Sequence, residues 1–358
     1  MNEQLIKKLL DRKESGAFRE LFVPDLEKDF FSNDYLGLAR KNGSSNTLNK
    51  GATGSRLLSG NSIEAEDCEH FLAAHFQSPA SLVFNSGYAA NLGLLSSVLQ
   101  RGDAVFYDQY IHASSRDGIR LSYAESIAFK HNDCEDLKKK LNKSKSKTNY
   151  VLVESLYSMD GDFSPLKRLV EICEACNAYL IVDEAHTGGV FGALGRGLVY
   201  EEGLTSRVFA RIITFGKGFG YHGAVVLGTL SLKEYLINFS RSFIYSTAMP
   251  FRDYTKIKAL VGDQSIAQNQ KELEKNIAFF RKLNTRLDFL SDTKSPIQIL
   301  EFFEPRSLQE VVLKIKSKGI YTKSILPPTV PAGKSRLRIC IHAYNTKEDI
   351  VLLSNALK

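Results

Sequence analysis

Residues 211–229 run through apolar β-formers into a loop in which Lys217 lies between Gly216 and Gly218, with Gly220 close behind. Ile212 and Ile213 read as part of a buried strand, and the glycines end any regular element there. A lysine presented in that way can act as a nucleophile or grip an anion, although by itself it reads more readily as a solvated turn residue. Two other stretches carry comparable potential. In "YLIVDEAH" an apolar strand delivers Asp183 and His186 at its end, where a carboxylate needs a cation or hydrogen-bond donors. In "FNSGYAANLGLL" a strand passes through Ser86 and Gly87 into a helix, whose free N–H groups and dipole suit a phosphate. Singly, Asp183 reads also as a helix N-cap, His186 as a satisfied histidine and the Gly87 turn as an ordinary strand–helix connection. Together, a phosphate cradle, an aspartate able to keep a pyridine nitrogen protonated and a presented lysine are the parts needed to hold pyridoxal phosphate as a Schiff base.

The elements that must position these residues alternate. From about residue 80, strand-like runs ("SLVFN", "AVFYD", "YVLVESL", "YLIVDEAH", "RIITFG", "GAVVLGT") are interleaved with helical patterns such as "GYAANLGLLSSVL", "HASSRDGIRLS" and "PLKRLVEICEAC". Such alternation predicts an α/β fold with a largely parallel sheet flanked by helices, in which ligands sit at the carboxyl ends of strands. The residues of interest are then Asn85 to Tyr88, Tyr110 to His112, Glu154 to Ser158, Asp183 to His186 and Thr214 to Lys217. A long helical stretch from about Pro250 to Leu290 leads to a smaller C-terminal α/β unit built from "IQILEFF", "SLQEVVLKIKSKG", "RLRICIHAYN" and "KEDIVLLSNAL". The expected division is an N-terminal helix and arm (1–39), a large domain (40–255) and a small domain (256–358).

Composition excludes several classes. The 358 residues are 43% hydrophobic and 24% charged, with a net charge of +7, which is globular rather than disordered or fibrous. No run is long and apolar enough for a membrane span, the start lacks a signal-peptide pattern, and five scattered cysteines suit a reducing cytoplasm. The expected location is therefore cytoplasmic. The lysine-rich run Leu137–Tyr150 has no arginine and no interleaved aromatics, and reads as a solvated connector rather than a nucleic-acid site. "AGKS" at 332–335 lacks the first P-loop glycine, and Cys173 with Cys176 falls inside a helical pattern, favouring core packing over metal. No metal is expected.

In order along the chain, "SNDYLGL", "GSRLLSGN", "FNSGYAANLGLL", "IHAS", "SMDGD", "IVDEAH", "TFGKGFG", "YSTAMP" and "PPTVPAGKSRLRI" resemble the α-oxoamine synthases, which are fold-type I pyridoxal-phosphate enzymes. The resemblance implies a homodimer with its active site at the subunit interface. It implies Lys217 as the covalent anchor of the cofactor, Asp183 on the pyridine nitrogen and His112 stacked over the ring. It places His186 and Ser158 on the ring's hydroxyl side, has Gly87, Tyr88 and Thr214 binding cofactor, and sends Ser246 or Thr247 to the partner's phosphate. Thr329 and Arg338 would meet a substrate carboxylate, and Arg19 would touch the acyl substrate. The implied reaction is a decarboxylative condensation of L-alanine with a pimeloyl thioester, on coenzyme A or a carrier protein. Glycine, serine or another acyl chain, or cofactor binding without turnover, are the alternatives. The chain departs from the family pattern at Ala65, Glu184, Thr187–Gly188, Tyr221 and His222, where the substrate pocket is expected to be reshaped.

Overall fold

The computed structural model describes residues 3–23, 51–327, 330 and 333–357. They form two compact units, Met1–Ser155 with Pro165–Asp263, and Leu156–Ser164 with Gln264–Lys358. The first is built on a seven-stranded sheet: β1 (Ala80–Phe84), β2 (Ala104–Asp108), β3 (Glu125–Phe129), β4 (Asn149–Glu154), β5 (Ala178–Asp183), β6 (Ala210–Thr214) and β7 (Ala224–Gly228). Their order across the sheet is β1-β7-β6-β5-β4-β2-β3. All neighbours are parallel except β7, which runs antiparallel to both β1 and β6.

The central strands are short runs of Val, Ile and Leu buried on both faces, as parallel strands between helical layers must be. The helix Gly87–Val98 packs into the same core, with Ala90, Leu94, Leu95 and Val98 beside Leu152, Ile181 and Ile212. Its start is set by Ser86, whose side chain accepts from the Ala89 N–H. β3 is an edge strand with mostly exposed side chains, so no apolar run marks it in the sequence. Because β7 is antiparallel, its amino end lies at the edge of the sheet where the parallel strands have their carboxyl ends. Residues from the connections after β1, β2, β4 and β5 and from the β6–β7 loop therefore converge there.

The second unit carries a three-stranded antiparallel sheet of β8 (Ile297–Phe302), β9 (Lys323–Ile325) and β10 (Ser335–Cys340), in the order β8-β10-β9. Its core gathers Phe280, Leu300, Leu308, Leu337, Ile339 and Ile350 from strands and flanking helices. The long helical stretch expected from Pro250 to Leu290 is two helices, Phe251–Val261 and Ile266–Leu283, separated around Gly262. The "SMDGD" segment belongs to the second unit, where Gly161 takes φ +70° and a side chain on it would strike the Ile297 carbonyl. The lysine-rich run begins as the helix Cys134–Leu141, capped by Asp133. Cys173 and Cys176 sit at the end of the helix Leu166–Ala175, and no metal-holding cluster occurs among the described residues.

Candidate active site

At the edge where the strands converge, a cavity of about 320 Å³ is lined by residues leaving β1, β2, β4, β5 and β6 and entering β7. Of the residues singled out in the sequence, Gly87, Tyr88, His112, Asp183, His186, Thr214 and Lys217 all line it. Their grouping follows from topology, since each lies at or just beyond the carboxyl end of a strand.

Asp183 is 5% exposed, yet no basic side chain pairs with it among the described residues. One carboxylate oxygen accepts from the Ala185 N–H at 2.9 Å and the other from Asn91 Nδ2 at 2.7 Å. Asn91, one turn into the helix Gly87–Val98, also donates to Ser114 Oγ at 3.1 Å, and Ser114 Oγ lies 2.7 Å from His112 Nδ1. The backbone N–H of Ser114 reaches the same Nδ1 at 3.1 Å. An N–H can only donate, so Nδ1 carries the lone pair and the neutral ring keeps its proton on Nε2. Burial holds the His112 pKa below the ordinary histidine value against the opposing pull of Asp183. Glu154, at the end of β4, accepts from the His112 N–H at 2.6 Å. Burial, reinforced by neighbouring Asp183, raises its pKa well above the usual carboxylate range.

On the lysine side, Lys217 Nζ lies 2.8 Å from His186 Nε2, a distance that requires one of the two nitrogens to offer a lone pair. The flanking glycines do more than leave space. Gly216 has open surroundings, but a side chain on Gly218 would collide with the Gly188 carbonyl oxygen, so the lysine loop is pressed onto the turn that follows His186. Tyr221 ties the far end down, its N–H donating to the Phe215 carbonyl at 2.7 Å and its hydroxyl to Asp253 Oδ1 at 2.8 Å.

The anion-binding corner is equally well defined. Ser86 Oγ caps the Ala89 N–H, and the Ala90 N–H bonds to the Ser86 carbonyl. The Gly87 and Tyr88 N–H groups, in the first turn of the helix, have no protein acceptor among the described residues, and both residues line the cavity. A Cβ on Gly87 would lie 2.5 Å from Thr214 Cγ2, so only glycine lets the helix start against β6. A buried carboxylate with no cation beside it among the described residues, a pair of unused N–H donors and a lysine lining the same cavity match a cationic ring carrying a phosphate and an aldehyde.

The remaining residues are placed as follows. Arg19 donates through its N–H and Nη1 to Asn238 and does not line the cavity. Thr247 is exposed and its carbonyl accepts from Asn85 Nδ2 at 2.8 Å, with half-buried Ser246 beside it. Within the second unit, the Ser158 carbonyl accepts from Arg338 Nε at 2.9 Å, while Arg336 pairs with Asp160 at 2.8 Å. Thr329 lies outside the described residues. Three departures from the family pattern are structural rather than pocket-forming. Ala65 is buried behind the Ser62 cap, and Glu184 binds Arg211 at 2.6 Å, with its other oxygen accepting from the Val199 N–H and Thr187 Oγ1. Tyr221 and His222 do line the cavity. Asn91 and Ser114 escape a reading of the sequence, since neither one polar residue on the apolar helix Gly87–Val98 nor one serine among several polar residues of the helix Ala113–Arg120 has a distinguishing pattern. The one trace of Asn91 is its position four residues after Gly87, on the cavity side of the helix.

The chain belongs to the aminotransferase class I and II family, whose profile matches residues 29–357, and within it to the α-oxoamine synthases that its motifs resemble. The 8-amino-7-oxononanoate synthase of Emericella nidulans is 40% identical over 390 residues, covering 98% of this chain and 93% of that protein. The solved 8-amino-7-oxononanoate synthase of Francisella tularensis matches with a TM-score of 0.72 at 29% identity, over 91% of this chain and 95% of that one. SPT, solved as its pyridoxal-phosphate internal aldimine, matches with a TM-score of 0.81 at 25% identity, over 99% and 96%.

Proposed function

We propose that this chain is a pyridoxal-phosphate-dependent C-acyltransferase that condenses L-alanine with a pimeloyl thioester, releasing carbon dioxide and the free thiol to give 8-amino-7-oxononanoate. The observation that carries the cofactor chemistry is the meeting of Lys217, buried Asp183 and the Gly87–Tyr88 donors in one cavity. Relatives named for this reaction, 34–40% identical over nearly the whole chain, support the choice of substrates. When bound, pyridoxal phosphate supplies an electron sink that stabilises negative charge on the α-carbon of an amino acid.

Each residue then has a defined task. Asp183, oriented by Asn91 and Ala185, would hold a proton on the ring nitrogen, because a fixed carboxylate favours the charged form of its partner. The Gly87 and Tyr88 N–H groups would hold the phosphate. Lys217 would anchor the cofactor and, once displaced by alanine, move the α-proton at Nζ, with His186 as its adjacent proton acceptor. Neutral His112, with its proton fixed on Nε2, would lie over the ring and orient the acyl group by donating from that atom. Thr214 and Ser158 complete the cofactor contacts in this reading. Arg338 and Thr329 would grip the substrate carboxylate; the Arg338 Nη groups make no hydrogen bond among the described residues. Arg19 would touch the acyl chain. The enzyme would act in biotin synthesis, in the cytoplasm, as a homodimer in which exposed Thr247, with Ser246, serves the partner's phosphate. No helix among the described residues is long and apolar enough to cross a membrane.

The deciding experiment supplies alanine, glycine and serine against pimeloyl and palmitoyl thioesters of coenzyme A and of a carrier protein, following free thiol and product mass. Release of thiol with alanine and pimeloyl thioester, and an 8-amino-7-oxononanoate mass, is expected. Preference for serine with palmitoyl thioester, the reaction that the likeness to SPT makes the pertinent control, would overturn the substrate assignment.

A further inference from the structure

The register of β1 and β7 ends on the pair Phe84↔Ala224. The strands are antiparallel, so the segment leaving β1 (Asn85, Ser86, Gly87) runs beside the segment entering β7 (His222, Gly223). Gly223 takes φ +92°, a Cβ on it would lie 3.2 Å from the Phe84 carbonyl oxygen, and its own carbonyl accepts from the Phe215 N–H. Tyr221, on the other side of His222, is fixed by Phe215 and Asp253. The backbone that presents His222 is thus held at both ends against the start of the helix Gly87–Val98.

The His222 side chain is exposed, lines the same cavity as Ser86, Gly87 and Tyr88, and makes no hydrogen bond or ion pair among the described residues. A phosphate monoester carries a charge of about −1.5 to −2, whereas the donors at the helix start, the N–H groups and the Ser86 hydroxyl whose oxygen accepts as the cap, are all neutral. Among the described residues the lining contains no arginine, and its one lysine stands beside His186.

We propose that His222 is a further phosphate-binding residue, donating an imidazole N–H to the same phosphate that the Gly87 and Tyr88 N–H groups hold. This rests on the pyridoxal-phosphate reading above. The residue contributes to retention of the cofactor, not to the chemistry at the α-carbon.

The test titrates cofactor-free protein with pyridoxal phosphate and, separately, with pyridoxal, which lacks the phosphate, following the absorbance of the bound form. A charge-assisted hydrogen bond corresponds to about a ten-fold loss of affinity for pyridoxal phosphate in His222→Ala. Pyridoxal affinity should stay within about two-fold of wild type by the same argument, because no phosphate is present to lose a partner. His222→Asn, which keeps an N–H donor, should recover part of the loss, and the melting temperature of the cofactor-free variants should match wild type. Equal losses with both ligands would mark His222 as merely structural, and unchanged affinity for pyridoxal phosphate would remove it from the phosphate site. Either result overturns the proposal. Failure of the wild-type protein to take up pyridoxal phosphate would instead overturn the cofactor reading itself.

Discussion

Replacing Asp183 by asparagine tests the electrostatic centre of the site, and its cost can be worked from the surrounding bonds. The two carboxylate oxygens each receive a donor, the Ala185 N–H at 2.9 Å and Asn91 Nδ2 at 2.7 Å. An amide has one oxygen, so in Asp183→Asn one of these donors must face an NH₂ group. Asn91 can turn its amide over, bringing Oδ1, which has no hydrogen-bond partner, toward position 183, but it then loses Ser114. Either way a buried donor goes unmatched, and cofactor-free protein should be destabilised by about 1–3 kcal/mol, read by urea unfolding. On the proposed reading the holoenzyme would lose in addition a charge-assisted bond to the ring nitrogen, so turnover should fall by at least about 10- to 150-fold, the equivalent of about 1.5–3 kcal/mol. The pair exchange Asn91→Asp with Asp183→Asn restores one matched bond between positions 91 and 183 without restoring a carboxylate to 183. It should regain stability while turnover stays low. Near-wild-type turnover in Asp183→Asn, or recovery of turnover in the exchanged pair, would show that Asp183 acts only as a cap for Ala185.

Gly218→Ala should impair cofactor uptake, measured by absorbance, because its Cβ would collide with the Gly188 carbonyl, whereas Gly216→Ala, with its nearest contact at 3.7 Å, should bind nearly as wild type. Arg336→Lys should lower stability more than Arg338→Lys, since Arg336 is 4% exposed and serves both Asp160 and the Met159 carbonyl, a geometry lysine cannot reproduce, and losing a hydrogen bond of a charged group costs about 1.5–3 kcal/mol. Arg338→Lys should instead lower kcat/KM for alanine by about ten-fold while cofactor stays bound, because lysine cannot reproduce a two-pronged carboxylate grip; the reverse ordering in thermal melts and steady-state kinetics would refute both assignments. Glu154 has a folded-state pKa above its ordinary 4.5, so the native state binds its proton more tightly than the unfolded state and loses stability as pH rises from 4.5 toward the folded value. Glu154→Gln should therefore gain stability relative to wild type across that interval in the cofactor-free protein, and parallel pH profiles of the two would contradict the burial of the carboxyl.

Much of the site was legible because strand ends bear the chemistry in such sheets. Lys217, Asp183 and His186 follow apolar runs directly, and Gly87 marks a helix start. What was hidden depends on pairings remote in sequence. The reversal of β7 is decided by the loop from Phe215 to Gly223 turning the chain back, and an apolar strand reads alike in either direction. The exposed edge strand β3 has no buried face to produce a pattern. Glu184 sits next to Asp183 in sequence but points to Arg211, 27 residues on, so a difference from the family pattern that suggested a changed pocket is a repacked interior pair. The Asn91 bridge between Asp183 and Ser114 joins three elements, and no local spacing encodes it.

The central claim is that Lys217, and no other of the lysines, meets the cofactor. Incubation with pyridoxal phosphate, reduction with borohydride and peptide mapping tests it directly. The expected result is a single covalent pyridoxyl label on the peptide containing Lys217, absent from Lys217→Ala, which should still bind the cofactor reversibly through Asp183 and the Gly87–Tyr88 donors. A label on a different lysine, or an unlabelled protein after reconstitution, would contradict the account.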